Sequence, residues 1–157
     1  MTFTHQEVHE LPGVLSAPRF ATYLAACSGD KQRALALYQW NMEISCAFLA
    51  PFQLCEVGIR NAIADGIQQT YGPNWTYVQS FRIALPNPAK NSPRRELKGL
   101  ADRLPTTGKI IAELKFFWWQ RMFKATHDNA IWNPHLFSVL PNLDTSKTVQ
   151  QHRGTLY

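Results

Sequence analysis

No stretch of this chain alternates apolar and polar residues with the two-residue period of a half-buried strand, and helix signals fill the space instead. Ser16 stands where it can cap a helix that carries Pro18 in its first turn and runs through Phe20, Leu24 and Cys27. Ser28-Gly29 ends it, and Asp30 caps the next. There Ala34, Leu37, Tyr38, Ile44 and Phe48 recur at helical spacing between Lys31 and Leu49. Pro51 is expected to break that helix and open a third, which closes at Tyr71-Gly72-Pro73. Pro86, Pro88 and Pro93, with Asn87 and Asn91, mark 85–93 as a loop. Ser92-Pro93 starts a helix with Leu97, Leu100, Ala101 and Leu104 on one side. A longer helix is expected from Lys109 to Ala125, then shorter pieces around 133–140 and from Thr145 onward. The fold class these signals predict is all-α: a single-domain helical bundle of about five to seven helices over residues 14–157, behind an N-terminal tail of residues 1–13.

At 157 residues, 45% of them hydrophobic, the chain can bury a substantial core as one domain. No apolar run looks long enough for a membrane span, so no membrane partner is expected. The polar opening MTFTHQEVHE does not resemble a signal peptide, which leaves the cytoplasm as the expected compartment. Cys27, Cys46 and Cys55 follow no zinc or redox spacing and are expected to pack as small apolar residues. The histidines show no metal spacing and there is no glycine-rich phosphate loop, so neither a metal nor a cofactor is expected.

Polar residues in apolar places are the stronger functional signal. On a helical wheel of the segment CEVGIRNAIAD, Glu56 falls inside the arc of Phe52, Ile59, Ile63 and Ile67, with Arg60 at its edge. Their spacing suits an ion pair on the helix, and burial would make pairing close to obligatory. On that reading Arg60→Ala would destabilise the fold by stranding Glu56. A structural pair lashing helices together and a polar pocket in which Arg60 and Asn61 face a ligand are both open, although the wheel points Asn61 elsewhere. The segment 109–125 repeats the anomaly, with Arg121 inside an apolar arc, where it can either approach Glu56 or snorkel to the surface. Its Phe and Trp residues read as core rather than as a base-stacking platform, which needs exposed rings.

Charge is uneven. Residues 82–124 hold ten basic and three acidic residues, against +5 for the whole chain, so the rest is net acidic. Such a half either favours a polyanion partner or is a solvated surface with an excess of cations. Arg94, Arg95 and Lys98, which lie off the apolar side of their helix, and Arg121 are the candidate nucleic-acid contacts.

Six segments, LSAPRFATYL (15–24), ALYQWN (36–41), PFQLCEVGIRNAI (51–63), YGPNW (71–75), ELKFFWWQRMF (113–123) and IWNPHLFSVLPN (131–142), occur in the order that resembles the Abi-like family of bacterial abortive-infection proteins, within the HEPN superfamily. The resemblance implies an all-helical domain in phage defence or toxin-type growth control, with RNA as target and a neutralising protein as a further partner. It implies metal-independent RNA cleavage by a signature of Arg, then Asn, Asp or His, three residues, and His. Arg60-Asn61 matches its first two positions, while Asp65 stands at the histidine position. A carboxylate there repels phosphate and is a poor proton donor near neutrality. Glu56, Arg60 and Asn61 are therefore expected as the candidate catalytic site of a chain that lacks the family's C-terminal catalytic segment. The alternative is a noncatalytic interaction or dimerisation protein, a homodimer joined through its aromatic helix.

Overall fold

The computed structural model describes residues 3–156, and every regular element among them is a helix. The all-α class stands, with nine α-helices where about five to seven were expected. The chain divides into two compact units, one ending at Leu54 and the other beginning at Cys55, where a single domain was expected.

The first unit begins with α1 (His5–Val14), in the segment expected as a tail; Met1 and Thr2 of that segment lie outside the described residues. A capping box explains it. The Glu7 amide donates to Thr4 Oγ1 at 3.3 Å, and the Thr4 amide donates to Glu7 Oε2 at 2.8 Å. Helix α2 (Ala17–Ala26) starts on Ser16, whose Oγ accepts from the Arg19 amide. It stops in a Schellman-type turn, in which the Gly29 amide donates to Leu24 O at 2.9 Å and the Ser28 amide donates to Ala25 O at 3.2 Å. Ser28, at φ 53°, holds a left-handed position that glycine usually fills. Phe20, Cys27, Ala34 and Leu35 form this unit's small core.

Helix α3 (Lys31–Tyr71) starts on Asp30, which accepts from the Arg33 amide at 3.1 Å. It runs through Pro51 instead of breaking there. Continuing costs one hydrogen bond and a ring contact, about 3 kcal/mol. Breaking would strip several end groups of partners and demand a second nucleus. Gly72, at φ 82°, ends it.

In the second unit the chain turns often. A 3-10 turn at Trp75–Tyr77 leads into α4 (Gln79–Ala84), α5 (Pro93–Ala101), α6 (Thr107–Glu113) and α7 (Phe116–Arg121). The long helix expected over 109–125 is therefore split at Leu114 and Lys115, both extended. The break lets neighbouring indoles enter one core, and the Leu114 carbonyl accepts the Trp119 indole N–H at 3.2 Å. A 3-10 turn and one π turn follow, then α8 (Asn133–Val139) and α9 (Val149–Leu156). Trp75, Trp118, Trp119 and Trp132 are all fully buried here, with Trp132 stacked on Phe123 at 4.8 Å.

Candidate nucleic-acid interface

Helix α5 owes its position to its N-terminus. Ser92 Oγ accepts the Arg95 amide at 3.1 Å and donates to Asn87 Oδ1 at 2.7 Å, and Pro93 supplies the first helical residue. Two arginines adjacent in sequence then part company. Arg94 turns back to the end of α4, donating to the Leu85 carbonyl from Nε at 3.0 Å and Nη2 at 2.8 Å, and also to Ile83 O. It satisfies carbonyls that a helix end leaves open, a structural task. Arg95 donates from Nη2 to Pro88 O and Ala89 O, both at 2.6 Å, and remains exposed on a groove.

That groove, about 650 Å³, lies in the second unit and is lined by residues of α5, the end of α6, α7 and the loops beside them. Four cations border it: Arg95, Arg103, Lys115 and Arg121, against Glu96 and Glu113. Arg121 does snorkel, as one of its two expected placements had it: its guanidinium carbon lies 4.5 Å from the Phe117 ring centroid and Nη1 donates to Asn91 O. Phe116 and Phe117 are exposed, while Trp118 and Trp119 behind them are buried. The aromatic segment, expected to be core throughout, thus presents two rings outward. Lys98 stays off the groove and pairs with Asp102 at 2.6 Å; its hydrogen bond holds the Asp102 carboxyl below the usual range.

The other candidate site does not assemble. Glu56 and Arg60 are half-buried and form no ion pair among the described residues, and Arg60 Nε is buried without a hydrogen-bond partner. The expected i, i+4 pair is absent. Asn61 and Asp65 are exposed. The nearby cavity is apolar, bordered by Ile59, Ala62, Ile63, Phe123 and Trp132, with none of the three candidates in its lining. No group of histidine, cysteine or acidic residues among the described residues could hold a metal.

Two histidines are buried for structural reasons. His152 bonds the Asp144 carbonyl at 2.7 Å, and the neighbouring Arg153 pairs with Asp128 at 2.8 Å and donates to Phe123 O at 3.2 Å. His127 is pushed down to about 4, first by burial, then by Lys124, against an opposing pull from Asp128. Of the cysteines expected to pack, only Cys27 is buried; Cys46 and Cys55 are exposed.

Sequence reasoning named Arg95 and Arg121 but not Arg103, Lys115 or Phe117. Gly99, four residues from both Arg95 and Arg103, was the available signal for a bare strip between two cations. No family model matches this chain, no curated protein matches it, and no solved structure matches it.

Proposed function

We propose that this chain is an RNA-directed helical protein of the abortive-infection type, binding single-stranded RNA in the α5–α7 groove. Arg60, Asn61 and Glu56 carry no catalysis in this reading, because they share no cavity and Asp65 holds the position where an acid-base histidine would act. The observation that carries it is the exposed Phe117 ring under the Arg121 guanidinium, at the rim of a groove with three more cations. Flat rings accept stacked bases of any sequence, and spaced cations accept the phosphates between them. Sequence preference is then low and salt dependence high.

Fluorescence anisotropy of the full chain with a labelled oligouridylate tests it. Neutralising about four phosphates gives a log–log salt slope of about −3. Arg103→Ala and Lys115→Ala should each flatten that slope by about 0.7. Phe117→Ala should weaken binding about tenfold, near the middle of the range for one stacked base. Binding that ignores both salt and Phe117 would overturn the reading. Incubated RNA should stay intact with the native chain and with Arg60→Ala alike.

A further inference from the structure

Helix α3 carries the least explained surface of the molecule. It is long and apolar enough to cross a membrane, with an 18-residue window of mean hydropathy 1.3 of which nothing is buried. This departs from the expectation that no such run exists. Every residue from Trp40 to Cys55 except Ile44 is exposed, among them Met42, Phe48, Leu49 and Phe52.

We infer that this stretch binds a second copy of the chain, α3 against α3 and antiparallel. The spacing comes first. Met42, Ser45, Leu49, Phe52, Glu56 and Ile59 follow one another at alternating steps of three and four, the seam pattern of paired helices. Within the first unit the same steps lead back to Leu35 and Tyr38, which α1 and α2 already cover or partly cover. Forward they lead to Ile63, buried in the second unit's core. The middle of the seam has no cover from its own unit.

Orientation follows from the two polar members. In a parallel pair Glu56 meets the partner's Glu56, two carboxylates at one buried level. In an antiparallel pair with its twofold axis between Ala50 and Pro51, Leu49 meets the partner's Phe52 and Met42 meets the partner's Ile59. The same register sets Glu56 against the partner's Ser45, so the polar members of the seam meet each other. Pro51 falls off the seam. One register therefore matches apolar to apolar and polar to polar.

The size of the contact sets its strength. Met42, Phe48, Leu49 and Phe52 are 48–70% exposed. Covering them on both copies, with their flanking residues, removes roughly 1,000 Å² from water, near the lower bound for a specific contact. The dimer should be reversible in the micromolar range. Trp40 and Leu54, on the opposite side of the helix, stay outside it, and this separates a dimer seam from a membrane span.

Sedimentation velocity of the full chain from about 1 to 200 µM should show monomer passing to dimer. Leu49→Glu and Phe52→Glu, both at exposed positions, should hold the chain monomeric with an unchanged circular dichroism spectrum, whereas Leu54→Glu should leave the dimer intact. Gln53→Cys should form a disulfide-linked dimer under mild oxidation, and lose it when Cys46→Ser is added, because this register sets 53 beside the partner's 46. A monomer at every concentration would overturn the inference, as would a dimer indifferent to Leu49→Glu. Flotation with phosphatidylcholine vesicles, lost equally in Leu49→Glu and Leu54→Glu, would assign the stretch to lipid and overturn it too.

Discussion

Two stretches of this chain are comparably rich in large apolar side chains and meet opposite fates. From Trp118 to Trp132 nearly all of them are buried; from Trp40 to Leu54 nearly all are exposed. What divides them is how often the backbone breaks. Around the first stretch the helices run for six or seven residues and turn, so consecutive faces can point into one core. Each turn also frees carbonyls, and two indoles use them: Trp119 donates to Leu114 O and Trp132 to Met122 O, while Trp118 donates to the carbonyl of Pro93 at the start of α5. An unbroken helix cannot cover itself, and α3 is 41 residues long. Hydrophobicity proposes burial, but chain reversal is what delivers it.

The largest test of this contrast is a pair of truncations. Trp132→Ala should cost about 4 kcal/mol in chemical denaturation, the range for an aromatic removed from a packed core. Phe52→Ala should change the stability of the monomer by less than about 0.5 kcal/mol. Comparable losses would mean that the middle of α3 is packed after all.

Acidification probes the buried side next. His127 titrates near 4 in the fold and near 6.5 when unfolded, so between those values the unfolded chain binds the extra proton. Its contribution is complete above about 6.5 and lost as pH falls towards 4, roughly 3 kcal/mol. Melting temperature measured from pH 7.5 to 4 should fall through that window, and His127→Leu should remove most of the slope. A flat profile in the native chain would place the imidazole in water.

The smallest effect is expected at Arg60. With no ion pair to lose and one buried nitrogen lacking a partner, Arg60→Ala should leave the monomer within about 0.5 kcal/mol, on either side of zero. A loss above 2 kcal/mol, measured in urea at low protein concentration, would restore the Glu56–Arg60 pair that the sequence pattern favoured.

Local rules were legible where a single residue carries them. Ser16, Asp30 and Ser92 cap the helices they were read to cap, and Ser28-Gly29 and Gly72 stop theirs. Thr-His-Gln-Glu at 4–7 was an equally plain capping box, yet the segment was read as tail. Pro51 and Leu114-Lys115 misled in opposite directions. At Pro51 the cost of a new helix end exceeds that of one lost hydrogen bond, and at Leu114-Lys115 the packing of indoles outweighs continuous helix propensity. The wheel placed Glu56 and Arg60 on an apolar arc correctly, but an arc does not state what lies over it.

The sequence by itself determined the helical class, those helix ends that a single cap or glycine carries, and the basic character of residues 82–124, because capping, periodicity and charge are local properties. Only the tertiary structure decided that Arg94 turns back to the end of α4 while Arg95, also bonded to two carbonyls, stays exposed on a groove, that Phe117 is exposed one residue before a buried Trp118, and that α3 stays unbroken. Those outcomes depend on which distant groups arrive alongside. A backbone carbonyl freed by a turn, or a neighbour that never comes, leaves no mark on the residue it concerns.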